Sequence, residues 1–203
     1  LRGDATAPHP KRAVWKAFAM FKSILSLGRR PNQLVTDALY GEIVASARQP
    51  VFYSQWGVPD TPLGRFEMLS VHMFLFLDRA RGAPPALGEM AQDMTDEFFK
   101  DVEHSLRELG IGDLGVPKRM KKLAKMFYGR AEAYREALSA GDGEALAAAL
   151  ARNVLPESEA WPEAPKLAAY MQEAAAVLAA QDDDALLAGK VAFPEAGKGE
   201  AVA

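Results

Sequence analysis

The sequence predicts an all-α fold: an irregular helical bundle around a central apolar helix, with an alanine-rich C-terminal helical appendage. Three observations predict it. The stretch Arg65 to Arg79, RFEMLSVHMFLFLDR, is apolar on nearly every side when wound at about 100° per residue. Phe66, Leu69, Met73, Phe76 and Leu77 form a broad stripe, and Met68, Val71 and Leu75 cover much of the opposite side. A helix apolar all round must be surrounded. Further segments repeat apolar residues at spacings of three and four, and no segment alternates as a strand does. The polar exceptions on the central helix, Arg65, His72 and Arg79, fall seven residues apart and predict a single polar seam.

Composition bounds the rest. A chain of 203 residues with 49% hydrophobic and 25% charged residues is ordinary for a globular protein and excludes disorder throughout. The absence of cysteine removes disulfides, thiolate metal sites and a Cys nucleophile. Charges interrupt every apolar run before the roughly 18 residues of a spanning helix, which reads as soluble or peripheral.

Taken in order, Leu1 to Pro10 has no periodicity and reads as a flexible head. Lys11 to Arg30 places Trp15, Phe18, Phe21, Ile24 and Leu25 at helical spacing among six basic residues and no acid. That pattern fits attachment to an anionic membrane surface and equally a terminal helix docked on its own core. Met20 is the expected natural start, since MFKSILSLGRRP already supplies a short basic amphipathic opening. These 30 residues form the first of three expected regions, followed by a helical core over 31–139 and a C-terminal extension over 140–203.

Pro31 opens a helix to about Arg48, with Leu34, Ala38, Leu39, Ile43 and Val44 on one face, and Pro50 stops it. Phe52, Tyr53 and Trp56 then precede the turn residues Gly57, Pro59, Asp60 and Pro62. Rings in such a segment either present themselves to a partner or, the favoured reading, plug the core. Asp60 or Thr61 caps the central helix. A fourth helix over Leu87 to Leu109 turns Met94, Phe98, Val102, Leu106 and Leu109 inward and carries seven acids against two bases. The fifth, from Val116-Pro117, turns Met120, Leu123, Phe127, Tyr134 and Leu138 inward and gathers Lys118, Lys121, Lys122 and Lys125 on the opposite face. Six basic residues and no acid lie between Pro117 and Arg130, in a molecule of net charge -3. This is the strongest local signal in the chain. After Gly141-Asp142-Gly143 the chain turns alanine-rich and is expected to pack more loosely, with Asp182 to Asp184 capping a last short helix and the final residues frayed.

Catalytic patterns do not emerge. Only Asp101-x-x-His104 resembles half of a bundle metal site, and with three histidines in all, His9 among them in the head, a paired set cannot be assembled. No metal, cofactor or catalytic residue is expected. His72 reads as a satisfied interior histidine, its own helix neighbours Arg65 and Arg79 disfavouring a second positive charge. No phosphate loop, nucleophile elbow or H-E-x-x-H motif is present. Basic residues are not interleaved with aromatics in a stacking pattern, so sequence-specific nucleic-acid binding is not expected.

Several ordered motifs carry a resemblance: Tyr40-Gly41, Val58-Pro59-Asp60, Gly64-Arg65-Phe66-Glu67, His72, Asp96-Glu97-Phe98-Phe99 and Gly115-Val116-Pro117-Lys118. Over about Leu34 to Leu138 the chain resembles the ubiquinol-cytochrome c chaperone family of alphaproteobacteria and mitochondria. The resemblance implies an all-helical, non-catalytic assembly factor for the cytochrome bc1 complex. Its mitochondrial members bind newly made cytochrome b with a small partner protein and contact the ribosome near its exit tunnel. The lack of a long mitochondrial-type leader gives the expectation of a bacterial protein, cytoplasmic and peripheral to the inner membrane, with the mitochondrial matrix side as the eukaryotic counterpart. The residues offered for partner binding are Phe52, Tyr53 and Trp56 as aromatic contacts, Arg65 and His72 from the seam, and Lys118, Lys121, Lys122 and Lys125 as a cationic face for client, ribosome or anionic membrane. The rival class, a peripheral lipid- or quinone-binding helical protein, would need an enclosed empty pocket, whereas a chaperone would show an exposed aromatic groove beside the basic face.

Overall fold

Helix α1 (Gln33–Ala47) buries Leu39, Ile43 and Ala47 along one line, the spacing of four that the sequence shows. The computed structural model describes residues 33–198, so the expected head, basic amphipathic helix and Met20 opening lie outside the described residues. Pro50 does end α1, but it also opens a short helix, α2 (Pro50–Ser54), because a residue without an N–H loses nothing in a first turn.

The central helix α3 (Pro62–Ala80) begins as the sequence predicts. Thr61 Oγ1 accepts from the Gly64 N–H at 3.1 Å and Pro62 occupies the first turn. Gly64 is required, since a Cβ there would stand 1.9 Å from the Pro59 carbonyl oxygen, a backbone atom that cannot swing away. Met68, Met73 and Phe76 are fully buried, and Phe66, Val71, Phe74 and Leu75 nearly so. Four helices surround α3: α4 (Pro85–Glu108), α5 (Val116–Ala140), α6 (Gly143–Val154) and α7 (Ala164–Ala179). The described residues from Leu34 onward form one compact unit, all-α as expected.

The faces differ in detail from the sequence pattern. Leu109 was expected inside, but α4 ends at Glu108 and Leu109, leaving the helical path, is 57% exposed. On α5 the buried line runs through Ala124, Phe127, Ala131, Tyr134 and Ala137, leaving Met120, Leu123 and Leu138 half-buried, because small residues let neighbouring helices approach more closely than large ones. The same physics overturns the expectation of loose packing past Gly141. Leu146, Leu150, Leu167, Met171 and Leu178 are completely buried, and α7 is the broadest neighbour of α3. α1 is tied to α4 instead, the Tyr40 hydroxyl donating to Asp101 at 2.9 Å.

Asp182 caps the last helix, α8 (Asp183–Leu187), by accepting from the Asp184 N–H. The following residues are not frayed up to Lys198. They cross the surface as an irregular segment with Val191 and Ala196 buried.

Candidate functional site

A half-open cleft of about 810 Å³ lies where the C-terminal end of α1, the start of α3, the end of α4 and the start of α5 meet. Its floor is apolar, built from Phe66 and Leu69 of α3, Leu106 of α4, and Leu123 and Met126 of α5. Arg48, Arg65, Arg119 and Lys122 stand on its lining, and Leu63 and Leu109, half exposed, widen the apolar surface at its edges. The cleft is mostly aliphatic, with one ring, Phe66. Leu109, which the helical pattern placed in the core, is part of this surface because it falls one residue past the helix end. No periodicity signal could have found that.

The predicted polar seam separates into three environments. Arg65 is exposed at the cleft and pairs with Asp60 at 2.6 Å, a contact that holds the Asp60 carboxyl below its usual range. Arg79 is half-buried and reaches the end of α7, donating to the carbonyls of Leu178 and Gln181 and to Asp183. His72 is entirely buried. The division arises because α7 covers the line from His72 onward, while the first turn of α3 projects to solvent.

His72 is held by two bonds that determine its tautomer. Nδ1 lies 2.8 Å from the Met68 carbonyl, which can only accept, so Nδ1 carries the proton and Nε2 accepts from the Tyr170 hydroxyl at 2.8 Å. Burial lowers its pKa to about 4, against the smaller opposing effect of the Met68 carbonyl, so the ring is neutral, as the sequence predicts. The folded pKa lies below the unfolded value near 6.5, so stability from this group is complete above about pH 6.5 and falls as pH drops toward 4. The expected loss is about 3 kcal/mol. Glu67 acts with the opposite sign between about pH 4.5 and 7. The measurement is therefore the difference between pH–stability profiles of the parent and His72→Asn: parent minus variant should fall by about 3 kcal/mol between pH 6.5 and 4, and a difference that stays constant over that range would contradict the assignment.

Around His72 the rings close into a cluster. Phe52 meets Trp56, His72 and Tyr170 at centroid separations of 5.4, 5.7 and 5.1 Å. The Trp161 indole N–H donates to the Trp56 carbonyl at 2.7 Å. Phe52 and Trp56 are buried, so of the two roles open to this segment the structure shows the core plug and neither ring presents a surface to a partner, while His72 is covered in this fold with the Phe193 ring 5.0 Å away. Tyr53 is half-buried, its hydroxyl donating to the Ala47 carbonyl at the end of α1.

Lys118, Lys121, Lys122 and Lys125 are all exposed on α5, and none pairs with an acid among the described residues. Lys122 lines the cleft directly; Lys118, Lys121 and Lys125 are not part of its lining. Deeper on α5, Arg130 pairs with Glu67 of α3 in a nearly dry site, where Glu67 is 2% exposed. Desolvation outweighs the Arg130 attraction and raises the Glu67 pKa to about 7. The sequence reading missed this pair, because Glu67 sits in an apolar stripe without a charged neighbour at helical spacing.

His104 pairs with Glu108 on the exposed acidic side of α4. Among the described residues no cluster of three or more His, Cys, Asp or Glu could hold a metal ion. None of the helices described there is long and apolar enough to cross a membrane.

Comparison with known proteins places this architecture. The profile of the family described as ubiquinol-cytochrome C chaperone matches residues 54–193, which carries the resemblance beyond Leu138 to the end of the C-terminal helices. A crystal structure of the Cbp3 homolog from Brucella abortus is 51% identical, with a TM-score of 0.78, covering 91% of this chain and 98% of that one. No curated protein matches. The profile match spans well over half of the residues and the solved structure shares the fold at high identity, so the chain belongs to the ubiquinol-cytochrome c chaperone family.

Proposed function

We propose that this protein is a non-catalytic assembly chaperone for the cytochrome bc1 complex, engaging newly made cytochrome b at the cleft between α1, α3, α4 and α5. The observation that carries the reading is the juxtaposition of an apolar floor, Phe66, Leu69, Leu106, Leu123 and Met126, with Arg65, Arg119 and Lys122 at its lining and the lysine face beside it. An apolar segment of a membrane subunit needs such a floor to stay out of water before it inserts, and its polar loops or the anionic lipid surface need cationic groups. The cleft is half-open, which suits a polypeptide that must enter and leave and is less suited to a small ligand enclosed for transport.

The lysine face has a second use in the same reading. Exposed cations contribute about 1 kcal/mol each near an anionic bilayer, enough for reversible peripheral attachment at the inner membrane without a spanning helix. The phosphates of a ribosome would attract the same face, with an affinity that falls as salt rises.

Exchange of Lys118, Lys121, Lys122 and Lys125 for glutamate tests it. Stability should change by less than about 0.5 kcal/mol for each site, because exposed charges contribute little to folding, while the level of assembled bc1 complex in cells should fall. Normal bc1 levels in a complete deletion strain with no paralogue would sink the assignment and return the cleft to the lipid or quinone reading.

A further inference from the structure

The segment after α8 is bound in an unusual way. Gln181, just past the end of α7, donates from Nε2 to the Ala192 carbonyl and accepts from the Ala192 N–H at Oε1, both at 2.8 Å. Gln49, between α1 and α2, repeats the arrangement from the other side. Its Nε2 donates to the Pro194 carbonyl at 3.1 Å and its Oε1 accepts from the Ala196 N–H at 2.7 Å. Two side-chain amides thus offer the donor and acceptor pairs that a neighbouring strand would offer. Between them Phe193, half-buried, lays its ring 5.0 Å from the centre of His72, and Gly197 passes 3.3 to 3.6 Å, measured from an ideal Cβ position, from the Val51 methyls.

We propose that this channel, from Gln49 across His72 to Gln181, is a peptide-binding site that Val191–Ala196 occupies in cis. Its ligand in trans is an extended segment of unfolded polypeptide carrying one aromatic residue next to proline or another small residue. Amide side chains that bind main-chain N–H and C=O groups read no sequence, and only the ring against His72 selects. That combination of a tolerant backbone clamp and one aromatic pocket suits a chain that has not yet folded. The site lies against the aromatic cluster, on residues other than those lining the apolar cleft, and rests on the chaperone reading only for the statement that its ligand is a client.

The anchorage of α7 shows how the strap leaves without unravelling the bundle. Arg79 holds the Leu178 and Gln181 carbonyls and Asp183 from α3, so the helix end is fixed independently of the strap. Beyond it Gly189 takes a positive φ of 81°, a turn at which the strap diverges from α8. Opening there breaks the four glutamine bonds and lifts the half-buried Phe193 ring together with the buried Val191 and Ala196, while the helices stay packed.

The probe is a fluorescein-labelled peptide with the sequence of residues 189–198, GKVAFPEAGK, read by anisotropy against the full chain. The cis strap competes with it, so the parent protein should bind weakly. Phe193→Ala, which weakens the competitor at a half-exposed position, should bind at least about tenfold tighter, since apparent affinity scales with the fraction of open sites. Adding Gln181→Leu to that variant should abolish the gain, as should replacing the peptide's phenylalanine by alanine. A folded Phe193→Ala protein that binds the peptide no tighter than the parent overturns the proposal. Hydrogen exchange on the unaltered protein is an independent test: the Ala192 and Ala196 amides should exchange by local opening at least about tenfold faster than those of Phe74 and Leu75, and equal protection overturns it as well. Neither readout involves bc1 levels, so failure here leaves the assembly role standing, and failure of that role leaves the peptide result standing.

Discussion

Replacing Phe76 by alanine is expected to lower the unfolding free energy by about 3–5 kcal/mol. Phe76 has no exposed surface, and it lies on α3, which four other helices surround. Removing the ring forfeits its transfer free energy and leaves a cavity that can collapse only if several packed helices move together, which a close-packed interior resists. Urea unfolding of parent and variant, with an unchanged m-value, measures the difference. A loss under about 1 kcal/mol would show that the centre of the bundle lies elsewhere.

Arg130→Ala is expected to be comparably damaging, and its cost should depend on pH. Removing one partner of a buried ion pair typically costs about 3–5 kcal/mol, because the remaining charge keeps its desolvation penalty. Here the remaining group has an escape. Glu67 already has its pKa raised to about 7 by burial, and without the guanidinium it rises further, so near pH 6 the carboxyl can fold protonated. A raised folded pKa means that stability is complete below the unfolded value near 4.5 and is lost as pH climbs through the folded one. The variant should therefore lose additional stability, about 1.4 kcal/mol per pH unit, over the range where unfolded Glu67 is ionised and the folded group is not. Chemical denaturation at pH 6 and pH 8.5 separates the possibilities: a larger deficit at the higher pH is the expected result, and equal deficits would show that Glu67 does not titrate in the site. Glu67 Oε1, which has no hydrogen-bond partner among the described residues, is where the missing compensation lies.

The course of the helices was legible because the signals that set their ends are local. The Thr61 cap, Pro62 in a first turn and the Val116-Pro117 opening of α5 are chosen by residues within one helical turn of each other. The same holds for the four exposed lysines, whose face follows from spacing alone. The cleft was half legible. Arg65 and Lys122 were singled out, but its floor combines Leu69, Leu106 and Leu123, each of which a periodicity argument simply assigns to a core.

By itself, then, the sequence determined where the helices run, which of them must be central, that His72 would be neutral, and where positive charge gathers, since each follows from repeats of three to four residues or from the chemistry of one side chain. Tertiary structure alone decided the partners. Tyr170 meets His72 across 98 positions, Arg130 meets Glu67 across 63, and Gln49 clasps the strap at Pro194 across 145. Glutamine, arginine and tyrosine bind by directional hydrogen bonds that leave no periodic trace in a sequence, and which groups they find depends on how closely the alanine faces of α5 and α7 let the helices approach.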